Sequence, residues 1–470
     1  MEKKAIVYRM YATLLDRLEI SYVEDETWLT HGTPVLDNNW VLYVSVRISE
    51  VANILKRIMP IVKEFDVPFR LIKDDEQGYN LNAGGIEVVD VGKYLTIYTQ
   101  SITQAKELVN ALAPLLQDYL GAEVPLSLRI DKNIYGHWVT VSGKQVEQEE
   151  GVLWNFEVPP SKLIPFRINK KYKPIGDKKL YGWFYLKEKE LRPGPKGGVF
   201  LAHSVKWLKF KPVVIKEGRH SVFEDFNGRD IKDRFLWQVK VLSKLGPHVP
   251  TARFVDYFES NENHYMVIEY LKGVLLPVKL TQIKAGNKWD DLSASKQIEL
   301  LRYYLQIIAI VKKIHALGFV HRDIQDHNFI VNDVGKISII DFELSYDLVN
   351  QEPAEPFLLG TLGYASQEQL DLATPAAEAD IYSLGALLAY FIAGEHPSTF
   401  IHGEYTEFPE KMSQFTNASR LVEIVLSCLN PEPTARISLT NLSDDVAKYL
   451  EHLHSDAIKT EKINAHEYEN

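Results

Sequence analysis

The feature that most constrains this 470-residue chain is a short polar pattern between apolar runs near residue 320. The stretch VHRDIQDHNFIV places Asp323 and Asn328 five positions apart, and Asp341 follows thirteen positions later in IIDFELSY. The apolar segments FIV and ISII flank the turn sequence NDVGK, which predicts a β-hairpin. Because the two ends of a hairpin lie close together, we expect Asn328 and Asp341 to face each other beside Asp323.

These three side chains offer the oxygen donors that a hard cation requires. Magnesium keeps several of its waters and takes its remaining ligands from one or two carboxylates and from substrate phosphates. The pattern therefore predicts a Mg²⁺ site with Asn328 and Asp341 as ligands and Asp323 beside them.

Upstream segments supply what a nucleotide site would need. PGPKGGVFLAHS contains Gly194, Gly197 and Gly198 followed by Val199, and glycine lets the backbone approach phosphate oxygens because it has no Cβ. PVVIKEGR places Lys216 in an apolar strand. A helix follows in DRFLWQVKVLSKL, predicted to bury Phe235, Leu236, Val239 and Leu242, and HYMVIEYLKG predicts a strand that leads to a hinge at Glu269 to Leu271.

Taken in order, these motifs resemble the signature set of the protein kinases. HRD-x-x-x-x-N is followed by DF-x, and GTLGYASQE is similar to the end of an activation segment. EADIYSLGALL resembles the next helix, in which Asp380 would brace the catalytic loop. CLNPEPTAR resembles a late helical region, in which Arg436 would pair with Glu368. The resemblance covers about residues 180–450 and implies a two-lobed kinase fold.

The resemblance implies a role for each matching position. Asp323 would accept the proton of a substrate hydroxyl, and Asn328 and Asp341 would hold Mg²⁺. Lys216 would bind the α- and β-phosphates of ATP. The remaining nucleotide-binding residues would be Gly194, Gly197, Gly198, Val199, Gln238, Glu269 and Leu271, and Arg322 would help to order the activation segment.

Three positions depart from the kinase pattern. Gln238 stands where a helix glutamate would pair with Lys216, Glu343 replaces the glycine of the DFG motif, and Gln325 replaces a lysine. These departures keep open a protein kinase or pseudokinase scaffold with a non-catalytic, peptide-binding N-terminal domain, unrelated to lanthipeptide synthesis. A kinase-fold enzyme for small molecules is also open, although GTLGYASQE resembles the protein-kinase version.

The first 150 residues alternate strand and helix patterns. WVLYVSVRI, FRLIKD and KYLTIYTQ predict strands, whereas SEVANILKRIMPIVKEF and SITQAKELVNALAPLLQDYL predict amphipathic helices. Ser49 is the predicted N-cap of the first helix, and Ser101 caps the second. We expect an α+β domain whose helices cover one face of the sheet.

This N-terminal region, the D-F-E motif and the GGVFLA loop together resemble class III and class IV lanthipeptide synthetases. The resemblance implies a kinase that phosphorylates Ser/Thr of a precursor peptide and a phosphoserine/phosphothreonine lyase domain that eliminates the phosphate. The chain stops after the kinase region, so we expect no cyclase domain in it. A separate cyclase acting in trans is a candidate partner.

The lyase-like site departs from that family at both reactive positions. Tyr43 and Arg70 stand where the family has a histidine acid and a lysine base, and arginine stays protonated near neutral pH. Lys93 and Arg129 are candidate phosphate ligands, and His137 is a spare acid. Further candidate cations are Arg47, Lys73 and Lys132. Two hypotheses remain, an active lyase with altered residues or a degenerate fold that only binds the peptide, and these identities favour the second.

Composition limits the classes of protein to which this chain can belong. A net charge of −10 disfavours nucleic-acid binding through bulk charge, and the single cysteine allows no internal disulfide. No apolar run is long enough for a membrane span or a secretory signal, so we expect a cytosolic protein with no membrane partner. The predicted fold class is α+β, and the predicted segments are a lyase-like domain at 1–156, a linker at 157–179, a kinase N-lobe at 180–272, a C-lobe at 273–454 and a flexible tail at 455–470.

Overall fold

The computed structural model describes residues 10–34, 38–139, 159–168, 179–206, 210–225, 227–358, 360–403 and 405–468, with side chains up to residue 455. It contains two compact units, Met1–Asp233 with Val255–Ile268 and Arg234–Phe254 with Glu269–Asn470. Part of the predicted linker, residues 157–158 and 169–178, lies outside the described residues.

The N-terminal domain of the first unit is built on an antiparallel sheet of seven strands in the order β1-β2-β4-β5-β3-β7-β6. Its elements are α1 (Met10–Arg17), β1 (Val23–Glu24), β2 (Trp28–His31), β3 (Asn39–Val44), α2 (Ile48–Glu64), β4 (Phe69–Ile72), α3 (Asp75–Asn82), β5 (Leu95–Tyr98), α4 (Ile102–Leu116), β6 (Leu128–Asp131) and β7 (Ile134–Val139).

One face of this sheet is apolar and is covered by helices. Leu42 and Val44 of β3 and Leu95 and Ile97 of β5 join one core with the buried positions of α1, α2 and α4. Alternate residues of a strand point to opposite faces, so their neighbours line the other face. We call that second face, which these helices do not cover, the open face. It carries Tyr43, Arg70, Thr96, Tyr135 and Arg129 in one cross-strand row, and Tyr43, Thr96 and Tyr135 are buried there. The prediction of helices on one face of a sheet is confirmed.

The two long helices of this domain begin differently. Ser101 caps α4 as predicted, and its side chain accepts a hydrogen bond from the backbone N–H of Gln104. The prediction that Ser49 caps α2 is wrong, because α2 begins at Ile48 after Arg47 and receives no cap from the side chain of Arg47. The Ser49 hydroxyl instead donates to Glu224 at 2.7 Å.

A second antiparallel sheet of six strands has the order β12-β13-β11-β10-β9-β8. Its strands are β8 (Leu180–Tyr181), β9 (Tyr185–Arg192), β10 (Val199–Ser204), β11 (Lys211–Gly218), β12 (Phe254–Ser260) and β13 (Asn263–Glu269). Tyr185, Phe200, Ile215 and Val267 belong to its buried core.

The second unit is mostly helical. Its elements are α5 (Ile231–Leu245), which begins three residues before the unit boundary, β14 (Val274–Leu275), α6 (Leu276–Lys284), α7 (Ala294–Ala316), β15 (Phe319–Val320), β16 (Phe329–Val331), β17 (Ile337–Ile339), β18 (Tyr346–Asp347), α8 (Gln367–Leu370), α9 (Ala377–Ala393), α10 (Phe408–Met412), α11 (Ser419–Cys428) and α12 (Leu439–Tyr468).

Local signals in this unit were read correctly in most places. Gly318 follows the C-cap of α7 with φ +80°, the left-handed conformation that glycine adopts most readily. The predicted apolar face of α5 is wrong at Leu236, whose side chain is exposed. The helix α12 continues through most of the segment predicted as a tail. No helix in the described part of the chain combines the length and the apolar character that crossing a membrane requires.

Candidate phosphotransfer site and the N-terminal cation cluster

The carboxylate of Asp323 is the centre of a hydrogen-bond network in the second unit. Its Oδ2 accepts from Asn328 Nδ2 at 2.8 Å, and Gln325 Nε2 donates to both oxygens at 3.1 Å. The hydroxyl of Thr361, from the segment before α8, donates to Oδ1 at 2.9 Å. Four hydrogen bonds therefore fix the orientation of the candidate base.

The environment of Asp323 also changes its acidity. Burial raises the pKa of this carboxyl, and the nearby carboxylate of Asp341 raises it further. The hydrogen bonds from Gln325 and Asn328 oppose the rise because they favour the charged form. A carboxylate with a raised pKa is a stronger proton acceptor once it is ionised.

The predicted hairpin brings the two candidate metal ligands to one place. In β16 and β17, Phe329 pairs with Ile339, and Ile340 donates its backbone N–H to the carbonyl of Asn328 at 2.8 Å. Asn328 and Asp341 therefore flank the open end of the hairpin. Asp341 has φ +72°, a conformation that aspartate tolerates better than most residues.

The donors at this end of the hairpin suit a hard cation. The side-chain oxygen of Asn328 and the carboxylate of Asp341 are oxygen ligands. Two protein ligands of this kind match a Mg²⁺ ion that completes its shell with waters and nucleotide phosphates.

Asp380, at the first turn of α9, binds the backbone of the loop that leads to Asp323. Its two carboxylate oxygens accept the backbone N–H groups of His321 and Arg322, both at 2.8 Å. Asp380 is fully buried, and burial by itself would raise its pKa, but hydrogen bonds from His315 and from the loop lower it. The bracing role predicted for Asp380 agrees with this geometry.

Arg322 and Arg234 hold the segment that follows Asp341. Arg322 Nη1 donates to the carbonyls of Leu344 and Phe357 at 3.2 and 3.0 Å, and burial lowers the pKa of its guanidinium to about 10. Arg234 packs over the ring of Phe357 with its Nη1 4.0 Å from Glu343, the residue that replaces the DFG glycine.

Gln238 reaches the same motif from α5. Its Nε2 donates to Asp341 Oδ1 at 2.5 Å. Gln238 stands where a helix glutamate of the kinase pattern would pair with Lys216, and here it bonds to the candidate metal ligand. An amide therefore positions Asp341, without the added negative charge that a glutamate would place beside it.

The predicted ion pair of the helical region is present. Both terminal nitrogens of Arg436 contact the carboxylate of Glu368, at 2.5 and 2.9 Å. The side chain of Arg436 is buried, and such a two-pronged contact restricts orientation as well as distance.

The glycine loop, formed by Gly194, Gly197, Gly198 and Val199, lies in the first unit between β9 and β10. Gly197 has φ +140°, and a Cβ there would lie 2.2 Å from the carbonyl oxygen of Glu217, so only glycine fits. The N–H of Gly198 donates to the Glu217 carboxylate at 3.1 Å. Lys216 lies in β11 opposite Val199, so the lysine and the loop share one pair of strands.

The predicted hinge borders a cavity of about 360 Å³ in the second unit. Glu269 donates its backbone N–H to the carbonyl of Arg253, and the next residues, Tyr270 and Leu271, line the cavity together with Ile330 of β16. Leu271 and Ile330 give the cavity apolar walls, the kind of surface on which a planar base binds.

In the N-terminal domain, three of the four proposed lyase-like residues lie together on the open face. Arg70 and Lys93 both contact Asp90, at 3.1 and 3.2 Å, and the Lys93 ammonium lies 4.8 Å from the centre of the Tyr43 ring. The guanidinium of Arg70 also packs over Trp28. We call Arg70, Lys93 and Tyr43 the cation cluster.

Burial changes the acidity of this cluster. It lowers the pKa of the Lys93 ammonium, although the charge of Asp90 opposes the change. It raises the pKa of the Tyr43 hydroxyl well above its ordinary value. Burial also lowers the pKa of His137, whose ring lies on the same face and whose Nδ1 donates to the carbonyl oxygen of Leu126 at 3.2 Å. Tyr43 is thus protonated, and His137 is neutral, at neutral pH.

The fourth proposed residue, Arg129, does not join the cation cluster. It lies at the far end of the cross-strand row and forms an ion pair with Glu262 of the six-stranded sheet at 3.0 Å. The other candidate cations are also engaged elsewhere: Arg47 with Asp230, Lys73 with Glu24, and Lys132 with the carbonyl of Gln117.

Sequence reasoning did not identify Thr361 and Gln325 as part of the site. Gln325 was read only as a missing lysine, and Thr361 only as part of a segment motif. Thr361 lies 38 positions from Asp323 along the chain, so no local pattern indicated that its hydroxyl returns to the catalytic loop.

Comparison with known families agrees with this geometry. The family described as "RamC, N-terminal domain" matches residues 19–174, and the family described as "Protein kinase domain" matches residues 185–450. Similar curated proteins include serine/threonine-protein kinase B of Synechocystis sp., 26% identical over 56% of this chain and 44% of its own length. CDPK-related kinase 7 of Arabidopsis thaliana is 32% identical over 34% of this chain and 26% of its own length.

Serine/threonine-protein kinase PknA of Nostoc sp. is 29% identical over 44% of this chain and 37% of its own length. The chain thus spans less than half the length of these relatives. The kinase match nevertheless covers more than half of the 470 residues. With the hydrogen-bond network around Asp323, this shows that the chain belongs to the protein kinase domain family.

Proposed function

We propose that this protein is an ATP- and Mg²⁺-dependent Ser/Thr kinase that phosphorylates a precursor peptide. The observation that carries the proposal is the network around Asp323, in which Asn328, Gln325 and Thr361 hold one carboxylate beside the Asn328–Asp341 end of a hairpin. The relatives named as serine/threonine kinases support the class of hydroxyl acceptor.

Each residue of the site has a defined task in this proposal. ATP supplies the phosphoryl group, and Asn328 and Asp341 would hold the metal ion that accompanies it. Asp323 orients the Ser/Thr hydroxyl and accepts its proton. Lys216 and the glycine loop bind the phosphates, and Tyr270, Leu271 and Ile330 provide the surface for the base.

The class of substrate rests on the N-terminal domain. A RamC-type domain beside a kinase domain supports a role in lanthipeptide-type dehydration, as in class III and class IV synthetases. Arg70 and Lys93 of the cation cluster bring two positive charges to one carboxylate, Asp90, and such charges bind a phosphate group through strong hydrogen bonds. We propose that the open face binds the phosphorylated Ser/Thr of the peptide.

Elimination of the phosphate is the second candidate function of the same face. The observation that favours it is Lys93, since burial lowers the pKa of its ammonium and leaves more of the neutral amine to act as a base. Arg70 would then bind the phosphate, and His137 is the neighbouring group with an acid–base range closest to neutral.

Mass spectrometry of a Ser/Thr-containing candidate precursor peptide tests both functions. After incubation with the protein, ATP and Mg²⁺, a gain of one phosphate per modified residue is expected for the kinase with a binding domain. A net loss of one water per residue would show elimination as well. An unchanged peptide, with no ATP turnover, would contradict the kinase proposal.

A pre-phosphorylated peptide separates the two candidate functions of the N-terminal domain. Conversion to the dehydrated peptide without ATP would establish elimination and contradict a domain that only binds. The control is Lys93→Met, which removes the candidate base and leaves the kinase residues intact.

A further inference from the structure

The segment that enters α5 is attached to the N-terminal domain, and the attachment completes a helix of that domain. The carboxylate of Glu224 accepts the backbone N–H of Ile48 at 3.0 Å and the hydroxyl of Ser49 at 2.7 Å. These are the unpaired donors at the first turn of α2, which has no cap of its own. Val222 packs with Val91 and Ala122 beside this contact.

The start of α5 is itself a capped helix end. Asp230 accepts the backbone N–H of Lys232 at 2.9 Å through one oxygen, and its own backbone N–H donates to the carboxylate of Asp233 at 3.0 Å. This reciprocal pair is a capping box, which sets the direction in which the helix leaves the preceding segment.

Arg47 of the N-terminal domain binds this cap directly. Its Nη2 donates to the second oxygen of Asp230 at 3.0 Å, and its Nε donates to the Ser221 hydroxyl at 3.3 Å. Asp230 is 5% exposed, so water competes little for this ion pair. A guanidinium from the N-terminal domain therefore holds the carboxylate that caps α5.

Gln238 lies on α5, eight residues after the Asp230 cap. Eight residues of a helix span about 12 Å, so the Asp230 cap and Gln238 lie about two turns apart along one continuous helix. Gln238 bonds to Asp341, the candidate metal ligand, at 2.5 Å. In protein kinases the placement of this helix controls whether the metal-binding aspartate is in its working position.

We propose that Arg47 is a positioning residue for phosphoryl transfer, acting through the Asp230 cap and α5 on Gln238 and Asp341. The N-terminal domain thereby controls the kinase reaction in addition to any contact with the peptide. The inference rests on the proposed kinase activity.

The test compares Arg47→Ala with Arg57→Ala in the full chain. Arg57 lies on the same helix α2, and it bonds to Tyr119 within the N-terminal domain instead of to α5. The first readout is hydrogen–deuterium exchange of backbone amides 232–238. We expect exchange there to rise several-fold in Arg47→Ala and to stay at the wild-type level in Arg57→Ala.

The second readout is Mg²⁺-dependent phosphate transfer from ATP to myelin basic protein. For Arg47→Ala we expect kcat to fall about 10-fold with the KM for ATP changed less than about 3-fold, since misplaced catalytic groups lower turnover more than binding. Arg47→Lys should recover much of the loss, because lysine can still pair with one oxygen of Asp230.

Glu224→Gln distinguishes positioning from loss of domain contact. It weakens the cap of α2 and leaves Arg47 and Asp230 unchanged, so we expect kcat within about 3-fold of wild type. Equal loss of kcat in Glu224→Gln and Arg47→Ala would overturn the proposal, as would wild-type exchange in α5 of Arg47→Ala. If the wild-type protein transfers no phosphate, the kinase proposal fails, and the exchange measurement still decides the coupling.

Discussion

At the scale of single residues, the site is organised around one carboxylate with three kinds of neighbour. Asn328 and Gln325 come from its own loop, and Thr361 comes from a distant segment. These amides and the hydroxyl stabilise the charged form of Asp323, while burial and Asp341 oppose it. The balance between these effects sets the pH at which the base works.

Replacing Asp323 with asparagine should remove the proton acceptor and keep the shape of the loop. We expect kcat to fall roughly 10²–10⁴-fold, the usual contribution of a general base, with little change in the KM for ATP. Steady-state phosphate transfer measures both constants. Asp444→Asn is the matched control because that carboxylate is exposed on α12, away from the residues assigned to the site. Wild-type kcat in Asp323→Asn would contradict the assignment.

The pH profile should show the raised pKa of Asp323. A base must be ionised to act, so kcat/KM should fall as pH drops through a pKa that lies above the ordinary aspartate value. Gln325→Ala removes two hydrogen bonds that favour the ionised form, so the acid limb of the profile should move to higher pH. An acid limb that stays in place, or moves to lower pH, would show that Asp323 is not the titrating group.

At the scale of elements, the segment after Asp341 is held by arginines and backbone carbonyls. No Ser, Thr or Tyr occurs between Tyr346 and Thr361. Ser345 and Tyr346 are buried, and the hydroxyl of Thr361 is bonded to Asp323. Arg322 donates to the carbonyls of Leu344 and Phe357, which gives it partners in the absence of a phosphate group.

Kinase activity should therefore be independent of phosphorylation in this segment. We expect the purified protein to keep its rate of phosphate transfer after treatment with a broad-specificity phosphatase that is removed before the assay. Mass spectrometry of the segment before and after treatment provides the control. A loss of rate that tracks the loss of a phosphate at Thr361 would contradict this prediction.

The Arg436–Glu368 pair should contribute to stability in a pH-dependent manner. The pKa of Glu368 is lowered in the folded state: burial by itself would raise it, and the hydrogen bonds and charge of Arg436 oppose that effect. A lowered pKa means that the contribution is present above the ordinary glutamate pKa and is lost as pH falls.

Glu368→Gln should lower the free energy of unfolding at pH 7 by about 1–3 kcal/mol, the range for a hydrogen bond to a charged group. The difference from wild type should shrink as the pH falls toward 4. Thermal unfolding at several pH values measures it. Glu423→Gln, in an exposed pair with Arg420, should change stability much less. If Glu368→Gln and Glu423→Gln lowered the free energy of unfolding equally, the larger contribution assigned to the buried Arg436–Glu368 pair would be contradicted.

At the scale of the whole molecule, the cation cluster should distinguish a phosphorylated peptide from an unmodified one. We expect Arg70→Met with Lys93→Met to weaken binding of a phosphoserine peptide roughly 10-fold or more, because two charged hydrogen-bond donors are lost. The double variant should leave the weaker binding of the unmodified peptide unchanged. Isothermal titration calorimetry measures both affinities.

Lys63→Met is the matched control for this measurement. Lys63 lies on α2, which covers the opposite face of the same sheet, and its ammonium pairs with Glu19. Equal phosphopeptide affinity in the double variant and the wild type would place phosphate binding elsewhere.

Much of the kinase part could be read from the sequence, because its chemistry lies in short segments. Asp323, Asn328 and Asp341 are separated by one hairpin, and hairpin geometry brings its two ends together whatever surrounds it. The helices followed from periodicity and from end signals such as Ser101. The prediction that Ser49 caps α2 was wrong because a serine near the start of an apolar pattern resembles an N-cap. The actual cap comes from Glu224, in another part of the chain.

The N-terminal site was harder to predict from the sequence, because a sheet brings together residues from strands that are far apart in the chain. Sequence placed Tyr43, Arg70, Lys93 and Arg129 in one group, and the strand register brings together only the first three. Position along a cross-strand row depends on strand order, and the order β4-β5-β3-β7-β6 is set by long-range pairing.

The sequence by itself determined the elements, the hairpin with its oxygen donors and the kinase family, since each depends on contacts between residues near in the chain. Only the tertiary structure decided that Thr361 bonds to Asp323, that Gln238 bonds to Asp341 and that Arg47 holds the cap of α5. The physical reason is that a hydrogen bond or ion pair needs its partners within a few ångströms, and for residues far apart in sequence only the packing of whole elements sets that distance.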